Sequence, residues 1–265
     1  MKLKGKLVLV TGASSGMGEG IAKAMADKGA RVILLARNRA ELNRVAGEIK
    51  STGAEAHVYT VDLKDAAAVA TVGAQIKHSL GLPDVIINNA GSGKWRFVDE
   101  TTPAEAVEMM ALPYFAAFNV VHAFLPEMLA RNTGHIVNIS SVASRFVWPG
   151  ATAYTAARWA VRGFTQALRA DLDATGINVT LYESGMVKSP YWEHNPDSAE
   201  REPKMAVLIP KLTPKQVGAA VVCGVERNKK LIVIPFMMRI VYVQHALFPG
   251  IFQWLMTKSG YKRTK

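Results

Sequence analysis

Three side chains in the middle of the sequence could together carry out acid–base chemistry: the hydroxyl of Ser141, the phenol of Tyr154 and the guanidinium of Arg158. Tyr154 follows Ser141 by 13 positions, and Arg158 follows Tyr154 by 4. Residues four apart share a helix face, so this spacing predicts a permanent positive charge beside the phenol. An adjacent cation favours phenolate and would make a phenol a usable proton donor or acceptor near neutral pH. Ser141 could hold a substrate carbonyl or hydroxyl against the same phenol, although an aromatic and an arginine also occur together on ordinary helix faces.

A glycine-rich turn near the N-terminus predicts a site for a pyrophosphate. The apolar run Leu7 to Val10 leads into Thr11-Gly-Ala-Ser-Ser-Gly-Met-Gly18 and then into a helical pattern. Gly12 permits a sharp exit from the strand, Gly16 lets a pyrophosphate approach the backbone, and Gly18 lets helix and strand pack closely. The helix N-terminus would then face the anion.

The elements that must position these residues alternate along the chain between apolar runs and helical patterns. This alternation predicts a single-domain α/β fold of the Rossmann type, a doubly wound parallel sheet of about seven strands with helices on both faces. The predicted strands are 7–10, 31–36, 56–61, 85–88, 135–139, 177–182 and 231–234. The predicted helices are 16–28, 39–52, 65–79, 103–131, 152–174 and 214–227. Right-handed crossovers would bring Gly12, Asn89, Ser141 and Gly185 to one edge of the sheet.

Taken together, the glycine turn, Asp62, Asn88-Asn-Ala-Gly91, Ser141 and Tyr154 resemble the short-chain dehydrogenase/reductase superfamily in type, order and spacing over residues 5 to 235. The resemblance implies an NAD(P)-dependent oxidoreductase acting on CH–OH donors. It implies that Ser141 orients the substrate, that Tyr154 is the acid/base, and that Arg158 takes the place of a lysine that contacts the nicotinamide ribose. The implied cofactor-binding residues are Gly12, Ser14, Ser15, Gly16, Met17, Gly18, Arg37, Asp62, Leu63, Asn89, Ala90, Gly91, Tyr154, Arg158, Val187 and Ser189.

The chain departs from the family pattern at three places. Arg158 replaces the lysine, and a guanidinium is larger, planar and does not deprotonate in this range. Pro113 stands where the family has an asparagine that helps to place a relay water. Ser184-Gly185 replaces a Pro-Gly pair, and Ser189 a threonine. These changes bear on the rate and the proton route more than on cofactor binding.

The end of the second predicted strand bears on the choice of cofactor. An acidic side chain there would bind the ribose 2′-hydroxyl of NAD, whereas an arginine accommodates the 2′-phosphate of NADP. The sequence reads Leu35-Ala-Arg-Asn-Arg39, without a carboxylate. Cations are also disfavoured at a helix start unless an anion is bound nearby. We therefore expect NADP(H) to be favoured over NAD(H).

Composition indicates one domain in a reducing compartment. The 265 residues suit a single α/β domain, which we divide into a dinucleotide-binding and catalytic region, 1–235, and an apolar and basic C-terminal extension, 236–265. Cys223 is the single cysteine, and the six histidines have no metal-ligand spacing, so no metal site is predicted. The short apolar run after Met1-Lys-Leu-Lys-Gly-Lys6 is interpreted as the first strand and not as an export signal, which favours a cytoplasmic location.

The formal charge of +11 indicates affinity for anions. No nucleic-acid motif accompanies it, so we predict no nucleic-acid partner and favour an anionic membrane or an anionic substrate carrier. A solvated basic surface without a particular partner remains an alternative. By resemblance, we also expect a homodimer or homotetramer that pairs the helices near 103–131 and 152–174.

Aromatic and methionine residues predict a lipophilic small-molecule substrate. The segment 190–210 would form a lid with apolar wall residues Met186, Tyr191, Trp192, Met205 and Leu208. Trp95, Phe97, Phe146 and Trp148 would form the other rims.

The segment from Pro235 to Met256 is apolar on almost all sides, but Pro249-Gly250 divides it and Arg239 places a charge in it. An interfacial hairpin at a membrane surface, anchored by Trp254 and the basic tail, fits better than a spanning helix. Packing over the substrate cleft or at a subunit interface remains open.

Two functions therefore stand after the sequence is considered. The first is an NADP(H)-dependent oxidoreductase that interconverts a carbonyl and a secondary alcohol on a hydrophobic substrate, with Tyr154 as acid/base. The second is a catalytically weak or inactive nucleotide-binding regulatory or scaffold protein on the same fold, because Arg158 and Pro113 both depart from the catalytic pattern.

Overall fold

A computed structural model describes residues 1–263 and contains one parallel sheet of seven strands. The strands are β1 (Leu7–Thr11), β2 (Arg31–Ala36), β3 (Ala56–Thr60), β4 (Val85–Asn88), β5 (Gly134–Ile139), β6 (Ile177–Ser184) and β7 (Leu231–Ile234). Their order across the sheet is β3-β2-β1-β4-β5-β6-β7. The chain therefore reverses its direction of winding between β1 and β4, which is the position where doubly wound sheets open a crevice at their carboxyl edge.

Helices cover both faces of the sheet. Before β7, apart from two short helices described below, they are α1 (Gly16–Ala26), α2 (Arg39–Ser51), α3 (Ala66–Ser79), α4 (Pro103–Met110), α5 (Ala116–Arg131), α6 (Thr152–Asp171) and α9 (Pro214–Glu226). One apolar core joins α1, α2 and α9 to the sheet, and a second core joins α3, α5 and α6 to the opposite face. This arrangement confirms the predicted doubly wound α/β fold. It also explains why the central strands are apolar at successive positions, since both of their faces are buried.

The predicted helix over 103–131 is interrupted in its middle. A π-helical turn over Ala111–Phe115 separates α4 from α5, and the buried Pro113 lies inside this turn. Proline has no backbone N–H to donate and cannot continue regular α-helical bonding, so a wider turn accommodates it. By length and composition, Pro103–Arg131 is the one stretch of the described helices that could cross a membrane. Its inward side chains Val120, Phe124 and Met128, however, belong to the second core.

The chain after β6 contains two short helices and, at its end, a helical hairpin. Two short helices, α7 (Tyr191–His194) and α8 (Pro196–Ala199), precede α9. After β7, the C-terminal extension folds into a hairpin of two helices, α10 (Met237–Leu247) and α11 (Pro249–Ser259), with the break at Phe248. Proline at the first position of α11 suits a helix start, which is why the predicted division at Pro249-Gly250 becomes a corner between two helices.

An ion pair between the partly buried Arg145 and the fully buried Glu183 links this hairpin to the sheet. Glu183, in β6, has no exposed surface; its carboxylate accepts from Arg145 Nε at 2.7 Å and from Ser144 Oγ at 2.5 Å. The Arg145 guanidinium lies 4.4 Å from the ring centre of Tyr242, which is on α10. Burial, and then the nearby Glu183 carboxylate, raise the pKa of Tyr242 above its usual range, so this phenol stays neutral. Sequence patterns did not indicate this cluster.

We expect Arg145→Ala to lower the free energy of unfolding by about 3 kcal/mol, because it leaves the Glu183 carboxylate buried without its cation. Urea unfolding followed by circular dichroism measures the loss. Arg31→Ala is the matched control, since it breaks the exposed pair with Glu55 and should cost less than about 1 kcal/mol. Equal losses for the two variants would contradict a structural role for the buried pair.

Candidate functional site

One cleft of about 1110 Å³ runs along the carboxyl edge of the sheet and continues under the C-terminal hairpin. Almost every residue predicted to act in catalysis or cofactor binding lines it, although their roles remain predictions. These residues are Gly12, Ser14, Ser15, Gly16, Met17, Arg37, Asp62, Leu63, Asn89, Ala90, Gly91, Ser141, Tyr154, Arg158, Val187 and Ser189. Gly18 does not line the cleft. It packs against the glycine turn, where a Cβ would collide with the carbonyl oxygen of Gly12.

The glycine turn is built for close backbone approach. Gly12 and Gly16 have φ values of +63° and +57°, a region that favours glycine. Ser15 precedes α1 without a capping hydrogen bond from its side chain, so the first amides of this helix face the cleft without a side-chain cap. A helix N-terminus of this kind attracts an anion such as a pyrophosphate.

The loop after β4 is tied to the same turn through Thr11. The backbone amides of Asn89 and Ala90 donate to Thr11 Oγ1 at 2.9 and 3.0 Å, and Asn89 Nδ2 donates to the carbonyl oxygen of Thr11 at 3.0 Å. These bonds hold the ends of β1 and β4 together at the switch point. Thr11 was a member of the quoted motif, but sequence reasoning assigned it no positioning role.

Tyr154 and Arg158 lie one turn apart on α6, and each residue is 8% exposed. The Arg158 guanidinium carbon is 4.9 Å from the centre of the Tyr154 ring, so the cation contacts the face of the ring. Ser140 Oγ donates to the backbone oxygen of Arg158 at 3.2 Å, which fixes this turn of α6 to the end of β5. The predicted proximity of phenol and cation is thus present in the folded chain.

The glycines of the β4 loop make room for these two side chains. A Cβ on Gly91 would lie 3.1 Å from Arg158 Nη2, and a Cβ on Gly93 would lie 2.5 Å from Tyr154 Cδ2. The larger guanidinium therefore fits because the backbone that faces it has no side chain. Gly91 was expected to contact a cofactor, and its contact with Arg158 was not foreseen; the repeated glycine at position 93 was the available signal for the second contact.

Ser141 begins a short 3₁₀ turn over Val142–Ser144. Its hydroxyl accepts from the backbone amide of Ala143 at 3.3 Å. The Ser141 hydroxyl keeps its own proton available to donate. Its place at the end of β5 on the cleft wall is the one that the sequence predicted.

Aromatic side chains cover the region around Tyr154. Trp95 is the centre of this group, with ring centres 5.6 Å from Tyr154, 4.9 Å from Trp148 and 5.5 Å from Trp192. A second phenol, Tyr191, donates to the carbonyl oxygen of Gly93 at 2.6 Å. Burial, and then the neighbouring Tyr154, raise the pKa of Tyr191 above its usual range. Tyr191 is therefore a neutral donor.

The apolar wall matches the predicted residues with one correction. Met186, Tyr191, Trp192, Met205 and Leu208 line the cleft, as do Trp95, Phe146 and Trp148. Phe97 does not line it, because its ring packs outside the cleft against Tyr261 and beneath the Arg263 guanidinium. The hairpin supplies a wall that was left open from sequence, consisting of Met237, Met238, Val241, Gln244, Phe252, Leu255 and Met256.

A dinucleotide fits the polar half of this cleft. Two buried polar atoms there, Asn89 Oδ1 and Arg158 Nε, have no hydrogen-bond partner among the described residues. Buried polar groups are ordinarily paired, so a bound molecule would complete them. At the other end, Arg37 lines the cleft, whereas Arg39 does not. Within residues 1–263, no group of three or more His, Cys, Asp or Glu side chains could hold a metal ion.

Comparison with known proteins agrees with this geometry. The model of the short chain dehydrogenase family matches residues 6–200. A fatty acyl-CoA reductase of Acinetobacter baylyi is 32% identical over 262 residues, covering 96% of this chain and 84% of its own. A metagenomic short-chain oxidoreductase solved in complex with NADP is 29% identical, with a TM-score of 0.74 over 88% of this chain and 98% of its own. A short chain dehydrogenase/reductase of Burkholderia phymatum in complex with NAD has the same fold, with a TM-score of 0.83 over the whole of both chains at 22% identity.

The glycine contacts can be tested by stability. We expect Gly18→Ala to lower the free energy of unfolding by about 1–3 kcal/mol, because the added methyl group meets the backbone of Gly12. Gly47→Ala is the matched control on the exposed side of α2, where a Cβ meets nothing within 4 Å. It should raise the same quantity by up to about 1 kcal/mol, since alanine favours helix over glycine. Urea unfolding of both variants checks the opposite signs, and a neutral Gly18→Ala would disprove the tight contact.

Proposed function

The chain belongs to the short-chain dehydrogenase family of oxidoreductases, and we propose that it uses NADP(H) to interconvert a carbonyl and a secondary alcohol on a lipophilic molecule. The observation that carries this proposal is the buried Tyr154–Arg158 pair, set beneath the glycine loop where the polar and apolar halves of one cleft meet. A cofactor in the polar half supplies or accepts the hydride when bound. The apolar half receives the substrate.

In this proposal, Tyr154 moves the proton. In the reducing direction its phenolic oxygen gives a proton to the carbonyl oxygen of the substrate, and in the oxidising direction it takes the proton back. Ser141 donates a hydrogen bond to the same substrate oxygen and so fixes its orientation. The Trp95, Trp148 and Trp192 side chains around the phenol exclude water from this step.

In this proposal Arg158 stands at the position of the family's lysine and acts as a fixed charge and a hydrogen-bond donor. Its guanidinium lies over the Tyr154 ring and so keeps a permanent positive charge beside the residue that moves the proton. Because Arg158 lines the cleft, its guanidinium also provides hydrogen-bond donors for the cofactor ribose in this proposal. A guanidinium cannot pass protons onward as an amine can, so in this chain the cation acts as a fixed charge and a hydrogen-bond donor.

Cofactor preference is proposed from the end of β2. Arg37 is exposed in the cleft, and the next side chain, Asn38, caps α2 by accepting from the amide of Glu41 at 3.2 Å. The nearby carboxylates Glu19, Glu41 and Glu48 are all paired with Arg44. The charge that faces a ribose at this point is therefore positive, which suits a 2′-phosphate.

The substrate class is proposed from the cleft wall. Six aromatic side chains besides Tyr154 and several methionines line the cleft, and such a wall favours a long or bulky apolar group over a sugar. The name of the Acinetobacter baylyi relative, a fatty acyl-CoA reductase, is consistent with a lipid-derived substrate.

A homodimer or homotetramer remains a prediction, as does a cytoplasmic location. The oligomer is supported by exposed aromatic and aliphatic side chains on α5 and α6 and in the π turn between α4 and α5. These are Phe115, Phe118, Leu129 and Trp159. Pairing of these helices with a second copy would bury them.

The catalytic role of Tyr154 can be separated from that of the other phenol in the cleft. We expect Tyr154→Phe to lower kcat for NADPH-dependent reduction of lipophilic ketones by about 100-fold or more, because it removes the proton donor. NADPH affinity, measured by cofactor fluorescence, should stay within about twofold, since the ring and its contact with Arg158 remain. Tyr191→Phe is the matched control. It loses the hydrogen bond to the carbonyl oxygen of Gly93, and kcat should fall by about tenfold or less.

The Arg158 variants extend this test. Arg158→Lys should keep more activity than Arg158→Ala, because lysine still supplies a charge and a donor. An Arg158→Ala enzyme as active as the unmodified protein would disprove the role assigned here. Absence of turnover in the unmodified protein with every ketone and aldehyde tested, with tight NADPH binding, would instead support a nucleotide-binding regulatory protein.

Cofactor choice has its own matched pair of variants. We expect NADPH to bind about tenfold or more tightly than NADH, because a charged hydrogen bond to the 2′-phosphate contributes about 1.5–3 kcal/mol. Arg37→Asp should abolish this difference. Arg39→Asp makes the same charge change two residues away and outside the cleft, so it should preserve the preference. Equal affinities of the unmodified protein for the two cofactors, by fluorescence titration, would contradict the proposal.

A further inference from the structure

The C-terminal hairpin presents a continuous apolar surface to solvent. Four of its side chains, Phe236, Ile240, Val243 and Leu247, recur at the spacing of one helix face, and Ile251 and Trp254 continue the surface on α11. With Phe248 at the corner, all seven are at least half exposed. We call this set the outer face of the hairpin, and we propose that it docks on an anionic lipid surface.

Charge identifies the partner. From Arg227 to the end of the chain there is no acidic residue, while the basic residues are Arg227, Lys229, Lys230, Arg239, Lys258, Lys262, Arg263 and Lys265, of which Arg263 is paired with Asp99. Within the hairpin, Lys258 follows Ile251 and Trp254 on the same side of α11, and Arg239 lies beside Phe236 and Ile240. An apolar surface edged by cations matches an anionic bilayer, where insertion and attraction to headgroups act together.

The same charge disfavours a second copy of this chain as the partner. Two such hairpins packed face to face would bring their basic edges together without an acidic residue between Arg227 and Lys265 to compensate. A transmembrane arrangement is also excluded by length. Each hairpin helix has 11 residues and is therefore about 16 Å long, whereas the hydrocarbon core of a bilayer is about 30 Å thick. The hairpin can lie in the interface but cannot span it.

The hairpin is a fixed part of the body and not a loose tail. On its inner side, Phe146 packs against Phe252 with ring centres 4.6 Å apart and against Tyr242 at 5.2 Å. The Arg145–Glu183 pair lies beneath Tyr242. The outer face is thus held in place before any contact with lipid, which reduces the conformational entropy that docking would cost.

The opposite side of the same two helices forms the wall of the cleft. Met238, Val241, Phe252 and Met256 line the cavity, while Ile240 and Ile251, each next to one of them in sequence, are exposed to solvent. A bilayer on the outer face would therefore lie one helix thickness from the substrate space. This part of the inference rests on the proposed reaction of a lipophilic substrate, which would partition into the bilayer and reach the cleft from there; the docking itself does not depend on turnover.

Vesicle flotation with the full-length protein and no substrate tests the docking. We expect binding to vesicles of phosphatidylcholine with phosphatidylglycerol, and weak binding to phosphatidylcholine alone. Leu247→Ser with Ile251→Ser should lower the partition coefficient by about tenfold or more, because two large aliphatic groups no longer insert. Val98→Ser with Val107→Ser, two exposed aliphatic residues just before and on α4, is the matched control and should leave it unchanged.

The cationic part has a control of equal net charge. Lys258→Gln with Lys262→Gln should weaken binding to the anionic vesicles by about tenfold at low salt. Lys28→Gln with Lys50→Gln removes the same charge from exposed positions after α1 and near the end of α2 and should have little effect. An equal loss in the two pairs would overturn the proposal, since it would mean that only total charge matters.

Tryptophan fluorescence locates the contact. Trp254 and Trp159 are 58% and 47% exposed, on α11 and α6. Vesicles that carry brominated lipid should quench the emission of the unmodified protein and of Trp159→Phe, but markedly less that of Trp254→Phe.

Quenching that survives in Trp254→Phe, or a failure of the unmodified protein to float with anionic vesicles, would overturn the proposal. So would a change in molar mass by light scattering in Leu247→Ser/Ile251→Ser alone, because it would identify a second copy as the partner. NADPH binding by each variant verifies its fold, and none of these readouts requires ketone reduction.

Discussion

The cleft depends on one constraint: three backbone segments approach one another with no side chain between them. The turn after β1 passes under the start of α1 at Gly12 and Gly18, and the loop after β4 crosses Arg158 at Gly91 and Tyr154 at Gly93. Thr11 closes the arrangement by accepting from two amides of that loop. An added Cβ would meet backbone at Gly12 and Gly18, the Arg158 guanidinium at Gly91 and the Tyr154 ring at Gly93, so this close approach depends on glycine at these positions.

The absence of a side chain at Gly91 also explains how the chain accommodates arginine in place of the family's lysine. A guanidinium is wider than an ammonium and needs a flat neighbour, which the backbone at Gly91 provides. Its contact with the ring of Tyr154 is then a cation–π contact, and its Nε remains unpartnered among the described residues. The chain thereby keeps charge and hydrogen-bonding capacity at this position without a titrating amine. Pro113 is accommodated separately, by the π turn between α4 and α5.

The C-terminal hairpin contributes both to the stability of the fold and to the wall of the substrate half of the cleft. Its inner side is held by aromatic packing on Phe146 and by the charged cluster beneath Tyr242, and its outer side is apolar and basic. A helix pair with one side in a cleft and the other exposed has two apolar surfaces and can bury only one of them within a single chain. This is the physical reason that the hairpin is hydrophobic on nearly all sides.

The sequence by itself determined the sheet, the order of its elements and most of the residues on the cleft wall, because buried parallel strands, glycine turns and helix spacing leave local patterns. Strand bounds at β2, β4 and β7 were predicted to the residue. Only the tertiary structure decided that Arg158 lies on the ring face against Gly91, that Phe97 packs outside the cleft, and that Glu183, Arg145 and Tyr242 meet beneath the hairpin. These are contacts between segments distant in sequence. Their geometry follows from how the elements pack, and no local pattern of residues encodes it.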